Sequence, residues 1–250
     1  ITRAYIGAGS EVYAKGKPGE YNSVSGLNVK AVSELTLTAK VPNMVNIQLV
    51  DLGLFNVRTL TGKTITEVYI AGRAESEDDL DVYAYDFIKA SADVEVFNAG
   101  LVSAGTSQAG NTVESQKVSA ELWNGSYVKA WGNVTVKAES KLDLFAQIKD
   151  AGYGLGTDCA VKTFNTAKRT TTVKVGDRAT VIAVIGNISI HALENEDSTV
   201  ESISIGTSGG AYVGGGPDAV INYTSVVTAT VGSNTVIEAK YGTVDIKATA

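Results

Sequence analysis

The chain has 250 residues, 44% of them hydrophobic, with 26 Gly, 3 Pro and a single Cys, His and Met. Its net charge of -6, with Lys and Arg spread singly, provides no basic patch for nucleic acid or an anionic membrane surface. No run approaches the roughly 18 apolar residues of a membrane helix, and one cysteine excludes an internal disulfide framework. We therefore expect a soluble, β-rich protein without nucleic acid binding or membrane insertion.

Three predicted elements recur in chain order. The first is a turn with a short strand, AYIGAGSEVYAKG (4–16), the second a strand closed by alanine, GLNVKA (26–31), and the third a longer alternating stretch, ELTLTA (34–39). Later first elements are EVYIAGRAE (67–75), AELWNGSYVKAWG (120–132), VKVGDRATVIAVIG (173–186) and ATVGSNTVIEAKYG (229–242). Later second elements are DLDVYA (79–84), NVTVKA (133–138), NISIHA (187–192) and TVDIKA (243–248). Later third elements are ADVEVFNAG (92–100), LDLFAQIKDAGYGLG (142–156) and VESISIGTSGGAYVGGG (200–216).

The alanines that close the second element are 53, 54, 54 and 56 residues apart. A fixed period of this kind is the signature of a solenoid, so we predict one continuous all-β solenoid over residues 1–250, without terminal caps. The copies lie near 1–63, 64–116, 117–169, 170–225 and 226–250, and their closing alanines are Ala31, Ala84, Ala138, Ala192 and Ala248.

Within each copy the hydrophobic period is two, so one face of the strand is apolar and the other is polar. The repeated inward positions are Val29, Val82, Val136, Ile190 and Ile246. Several short strands with corner glycines in 54 residues predict roughly two coils per repeat, each rising about 4.8 Å, and a rod on the order of 50 Å long.

Two other architectures have comparable repeats. A β-propeller blade has about 40 to 50 residues, but it needs four strands and usually a sequence marker, which is not visible here. A tandem of β-sandwiches needs about 100 residues per module. The solenoid is therefore the preferred prediction.

Three stretches carry a family resemblance: TRAYIGAGSEVYAKG (2–16), CAVKTFNTAKRTTTVKVGDRATVIAVIGNISIHA (159–192) and AVINYTSVVTATVGSNTVIEAKYGTVDIKA (219–248). They resemble the repeats of leukotoxin-type large bacterial filamentous adhesins, which are related in architecture to filamentous hemagglutinin and other two-partner-secreted proteins. The resemblance implies a right-handed parallel β-helix in a secreted or surface-displayed rod. The second copy departs from the pattern because DDLDVYA lacks the usual Gly corner, and the first carries an insertion, KPGEYNSV (17–24).

Few residues suggest chemistry. His191 shares an outward column with Lys30, Tyr83, Lys137 and Lys247, and no second histidine exists, so we expect neither catalysis nor metal binding there. Cys159 is predicted to be a buried, inert thiol.

The acidic run ESEDDLD (75–81) provides Asp78, Asp79 and Asp81 as weak calcium candidates, but it lacks the spacing of known calcium loops. ENED (194–197) stands at the equivalent place in a later copy, so a solvated acidic corner is the preferred interpretation. We therefore expect no metal and no cofactor.

Some parallel β-helices are polysaccharide-degrading enzymes, whose sites gather carboxylates from adjacent coils. Asp81 and Asp245 share a column, but other copies separate them, so an enzyme is the less favoured interpretation. Exposed aromatic residues are candidates for stacking on sugars or a partner, although shielding of the coil edge is preferred. These residues are Trp123, Trp131, Tyr127 and Tyr153.

The sequence thus predicts a non-enzymatic, extracellular, structural or adhesive segment of a bacterial surface adhesin. The alternative is a self-assembling filament subunit that stacks head to tail. The expected partners are neighbouring solenoid segments or copies of the chain itself end to end, and glycans or proteins on host or neighbouring cells.

Overall fold

A computed structural model describes residues 1–15, 26–51 and 54–250. Every regular element in this part of the chain is a β-strand, and the insertion at residues 17–24 lies outside it. In chain order the strands are β1 (Thr2–Ile6), β2 (Glu11–Ala14), β3 (Leu27–Ile47), β4 (Val50–Asp51), β5 (Leu54–Ile70), β6 (Arg73–Ser76), β7 (Leu80–Ala99), β8 (Val102–Leu122), β9 (Tyr127–Ala130), β10 (Val134–Tyr153), β11 (Gly156–Val175), β12 (Thr180–Ala183), β13 (Ile188–Glu194), β14 (Thr199–Gly209), β15 (Tyr212–Gly214), β16 (Pro217–Val231), β17 (Val236–Ala239) and β18 (Val244–Thr249).

The strands form three sheets, and every strand pair is parallel. Sheet A has the order β1-β5-β8-β11-β15, with β4 beside β8 and β16 beside β11. Sheet B has the order β2-β6-β9-β12-β17, and sheet C has the order β3-β7-β10-β13-β18, with β14 beside β10. The chain therefore winds repeatedly through C, A and B, and the prediction of an all-β parallel β-helix is confirmed.

Each repeat forms one coil. Ala138 pairs directly with Ala84 on one side and with Ala192 on the other, so neighbouring coils are one sequence period apart. The prediction of two coils per repeat was wrong, because the second and third elements join into a single uninterrupted strand of 20 residues, β10, without a corner inside it.

The molecule is consequently broad rather than rod-shaped. Sheet B is five strands deep, which at about 4.8 Å per step gives a height of about 20 Å along the helix axis. A strand of 20 residues such as β10 extends for about 65 Å across that axis. This replaces the predicted length of about 50 Å.

The long strands β7 and β10 keep a strict alternation of buried and outward side chains. The repeated inward positions are buried in the coils with neighbours on both sides, including Val82, Val136 and Ile190. Ile246 lies in the same column but is 44% exposed, because β18 is the outermost strand of sheet C. The other repeated inward positions are Val29, Ala31, Ala84, Ala138 and Ala192, all buried, and Ala248, which is exposed on β18.

Stacked glycines and Asx side chains hold the corner between sheets B and C. A Cβ on Gly186 would lie 2.4 Å from the carbonyl carbon of Gly132, so only glycine permits this approach. Beside the glycines, the Oδ1 of Asn133 accepts a hydrogen bond of 2.9 Å from the backbone N–H of Asn187. In the second copy, Asp79 accepts the equivalent bond of 2.6 Å from the N–H of Asn133.

Candidate functional site

Two facing columns of polar residues run through the interior, and sequence reasoning did not identify them. The column in sheet C stands two residues after each closing alanine, on the inward side of the strand. The opposite column belongs to sheet A. The members are Ser33, Asp86, Ser140 and Glu194 in sheet C, and Thr64, Gln116, Arg169 and Ser225 in sheet A.

Asp86 is fully buried and accepts three side-chain hydrogen bonds. Thr64 and Thr66 donate from Oγ1 at 3.2 Å each, and the Nε2 of Gln116 donates to Oδ2 at 2.8 Å. The carboxylate is therefore held by neutral donors from the facing sheet, which is what a buried polar group requires. This arrangement fixes the distance and register between the two sheets.

Arg169 provides the buried positive charge one coil further along. Its side chain is 0% exposed, and its guanidinium forms an ion pair with Glu194. Nη1 also donates to the Ser140 carbonyl at 3.3 Å and to the Ser198 hydroxyl at 3.2 Å. Burial lowers the pKa of Arg169 to about 10, which still leaves the group charged at neutral pH.

A second polar ladder crosses the interior further along the long strands. Thr59 donates to Oδ1 of Asn111 at 2.6 Å, and Nδ2 of Asn111 donates to Oδ1 of Asn165 at 2.7 Å. Asn111 also donates to the Phe145 carbonyl at 2.8 Å, which links sheet A to sheet C. These amides join coils and sheets.

The sequence did contain a signal for these ladders. The triplets AVS, AYD, AES and ALE at the closing alanines each place a polar residue at an inward position. The alternation argument considered only apolar residues at inward positions, so the exceptions were not recognised as a column.

His191 and the acidic residues do not form a metal centre. His191 lies on the outer face of sheet C, with Nε2 2.8 Å from Oδ2 of Asp245. Asp81 is 3.8 Å from the Lys30 ammonium, whereas Asp79 bonds the corner backbone of Asn133. Residues 1–15, 26–51 and 54–250 contain no group of three or more His, Cys, Asp or Glu side chains that could hold a metal ion, but the side chains of Asp51 and Cys159 lie outside the described part.

Asp81 and Asp245 do not form a pair of catalytic carboxylates. Their column passes through Thr135 and Ser189, so three coil steps of about 4.8 Å each separate them by about 14 Å. Glycosidase carboxylates are separated by about 5 to 9.5 Å. The geometry of these two residues therefore does not support glycoside hydrolysis.

The exposed aromatic residues gather mainly at the end of the molecule that carries sheet B. Tyr5, Tyr69 and Trp123 form a continuous stack, with ring centroids 5.0 and 4.5 Å apart. Arg73 lies over the ring of Tyr127, with its guanidinium carbon 4.4 Å from the ring centroid. We call the stack of Tyr5, Tyr69 and Trp123 the aromatic ladder.

Two more of the predicted aromatic residues lie elsewhere. Trp131, at the corner after β9, is 55% exposed, so its ring is available to solvent. Tyr153 lies at the opposite edge of the molecule, beside Phe97 at 5.6 Å. The four aromatic candidates therefore do not form one site, and the aromatic ladder is the best-organised part of this surface.

The outer face of sheet C gives a testable pH dependence through Glu139. Burial raises the pKa of Glu139, but hydrogen bonds from Lys137, Asn195 and Tyr83 more than offset this effect, so the pKa is lowered. The stabilisation is therefore present above the unfolded value of about 4.3 and is lost as the pH falls through the lower folded value.

We expect Glu139→Gln to lower the free energy of unfolding by about 1 kcal/mol at pH 7. It should also make the loss of stability below about pH 4 shallower, which chemical denaturation across a pH series measures. Exposed Glu95→Gln is the matched control. An equally steep acid limb in Glu139→Gln and the unmodified protein would contradict this role.

The described strands leave no helix that is long and apolar enough to span a bilayer. Searches of family models, curated proteins and solved structures each found no match to this chain.

Proposed function

We propose that this chain is a non-enzymatic, extracellular scaffold of a bacterial surface protein, with an adhesive outer surface. The observation that supports this most directly is the stack of coils, whose strands form three sheets. Glycine and Asx ladders join the coils at the corners, and polar ladders join them inside. Such a structure is repetitive and hydrogen-bonded from coil to coil, and its outer faces present the same positions in each coil. The resemblance of its repeats to filamentous adhesins leads to the same proposal.

An adhesion assay with a parallel activity assay tests this function. Beads that carry the purified chain should be retained on bacterial or host cells more strongly than beads that carry an unrelated β-protein. The same chain should release no reducing ends from a panel of polysaccharides. Release of reducing ends, or retention no greater than for the control beads, would overturn the proposal.

A second candidate function, self-association, is supported by the narrow edge where sheet C turns into sheet A. This edge carries one leucine from each of three successive coils, namely Leu49, Leu101 and Leu155. The Leu101 N–H donates to the Leu49 carbonyl, and the Leu155 N–H donates to the Leu101 carbonyl, each at 3.0 Å. Their side chains are 77%, 51% and 60% exposed. Further exposed apolar residues flank them, namely Val45, Ile47, Phe97, Val102, Tyr153, Tyr212 and Val213. We call these ten residues the leucine edge.

The leucine edge lacks charge in four successive coils. Residues 45–50, 97–104, 151–157 and 207–216 contain no Asp, Glu, Lys or Arg. Solvated turns are usually polar, whereas the core of a protein interface is depleted in charge and rich in apolar residues. The apolar side chains also repeat at the coil spacing of about 4.8 Å, and a second copy of this chain offers the same spacing.

We therefore expect copies of this chain to associate side by side along the leucine edge. In sedimentation velocity runs at increasing concentration, the chain should associate reversibly, and Leu101→Glu with Leu155→Glu should abolish the association. Ile185→Glu, which changes an equally exposed apolar residue elsewhere, should leave association unchanged. A monomer at every concentration would contradict lateral association.

A further inference from the structure

Trp123 has a fixed orientation although it stands on the surface. Its indole is stacked on Tyr69 with an angle of 12° between the ring planes, and Tyr69 is stacked in turn on Tyr5 at 11°. The side chain of Trp123 nevertheless remains 46% exposed. A rigid aromatic ring that is partly open to solvent loses little conformational entropy when a ligand stacks on it.

The coils on both sides provide small residues next to Trp123. Leu122, directly before Trp123, pairs with Ile70 on one side and with Val175 on the other. Ala71 and Gly176, which follow these two residues, therefore occupy the positions equivalent to Trp123 in the neighbouring coils. A Cβ on Gly176 would lie 2.7 Å from the backbone nitrogen of Asn124 and 2.8 Å from the carbonyl carbon of Trp123, so the corner backbone itself requires glycine there. Because Gly176 has no side chain, this position of the next coil places none beside the indole.

Two open clefts meet at Trp123. The first has a volume of about 280 Å³ and lies toward Gly176, with Lys174 and Asn124 on its rim. The second has a volume of about 220 Å³ and lies along sheet A, where it includes Arg3. Both volumes are below the lower limit of about 300 Å³ for sites of drug-sized ligands, so each cleft has room for one small ring and no more. Glu121 and Trp123 line both clefts.

The rims of the two clefts combine an aromatic ring with hydrogen-bond donors and acceptors. In the first cleft, Glu121 provides acceptors, Lys174 provides donors, and their charges are opposite. In the second, Arg3 is 2.7 Å from the Glu67 carboxylate, so its charge is balanced within the protein. A neutral ligand with many hydroxyl groups and an apolar ring face matches this combination better than a charged ligand.

We propose that Trp123, Glu121 and Lys174 form a binding site for neutral oligosaccharides, with one pyranose ring in each cleft. The C–H face of a sugar ring stacks on the indole, and its hydroxyl groups donate to Glu121 and accept from Lys174. This inference rests on the proposed adhesive function, because it names the ligand class of the outer surface. It predicts weak binding at a single site, which many copies on a cell surface would strengthen by avidity.

The two tryptophans of the chain make the test direct, because each has one indole N–H resonance. Cellobiose, lactose and N,N′-diacetylchitobiose are titrated into the full chain and followed by ¹H–¹⁵N NMR. At least one of them should shift the Trp123 indole resonance, with a dissociation constant on the order of 1 mM, and leave the Trp131 resonance in place. The Trp131→Phe variant assigns the two resonances.

Followed by the backbone amide resonances of Glu121 and Lys174 in the same spectra, Trp123→Ala should weaken this binding at least tenfold. Trp131→Ala, which removes the other exposed indole, should change it less than twofold. Circular dichroism checks that both variants remain folded. No shift with any disaccharide at tens of millimolar, or equal effects of the two substitutions, would overturn the sugar site. Cell adhesion that persists in Trp123→Ala would likewise contradict this site as the adhesive site, while it would leave the proposed adhesive function intact.

Discussion

Arg169→Met should lower the free energy of unfolding by about 3 kcal/mol, the largest loss that we expect from a single interior substitution. Methionine fills most of the space of the aliphatic stem but leaves the Glu194 carboxylate without its ion-pair partner. It also removes the donors to the Ser140 carbonyl and the Ser198 hydroxyl. The shift of the unfolding midpoint in guanidinium, followed by circular dichroism, measures the effect. The midpoint is compared directly, without a two-state fit, because the coils of a solenoid can unfold one after another.

The double variant Arg169→Met with Glu194→Leu should recover most of the lost stability. Removal of both charges leaves no unpaired carboxylate, and buried ion pairs are often replaceable by apolar residues without loss. Tyr223 and Ser225 donate to Glu194, so recovery should stop short of the unmodified protein.

Arg73→Met is the control, since Arg73 is also paired, with Glu75, but on the surface, where such pairs contribute about 0 to 1 kcal/mol. Equal midpoint shifts for Arg73→Met and Arg169→Met would show that the interior ion pair does not hold the sheets together.

Gly154→Ala should cost about 2 kcal/mol although it adds only one methyl group. A Cβ at this position would lie 2.2 Å from the Gly100 carbonyl oxygen and 3.3 Å from that of Leu101. The coil below must therefore move away, which lengthens the 3.0 Å hydrogen bond from the Leu155 N–H to the Leu101 carbonyl. Thermal unfolding and hydrogen exchange at the leucine edge measure the cost.

Gly156→Ala is the matched control, two residues away in the same turn. An added Cβ there meets nothing within 4 Å, so we expect no loss, or a gain of up to about 1 kcal/mol from the stiffer unfolded chain. If both alanines were tolerated equally, the stacking of glycines would not be what holds this edge together.

The sequence was sufficient to predict the sheet class and the register, because both depend on local periodicity. Alternation places Val82, Val136 and Ile190 on one side of their strands, and a shift of one residue would expose the whole apolar set. The closing alanines therefore had to align, and Ala84, Ala138 and Ala192 pair directly.

The number of coils per repeat could not be predicted from the sequence. Corners and straight strands differ by the stacking of glycines between coils, and the sequence does not show which glycines lie above one another. Gly132 and Gly186 form a corner, whereas Gly110 lies within the straight strand β8. The prediction of two coils assumed several short strands in each repeat, whereas β10 alone is a straight strand of 20 residues.

The candidate site shows the same division. Trp123 was predicted from the sequence to be an exposed aromatic residue at a corner. Its stacking on Tyr69, its position between Ala71 and Gly176, and the two clefts beside it depend on residues about 54 positions apart. Such neighbours are set by the winding of the chain, and local periodicity does not contain them.

By itself, then, the sequence determined a parallel β-solenoid with apolar inward positions, because period two within strands and period 54 between copies are properties of the chain. Only the tertiary structure decided that Arg169 meets Glu194 inside the helix and that three leucines form one uncharged edge. Those contacts join residues from different coils or from facing sheets, so their energies arise only when the coils stack and the two long sheets close on each other.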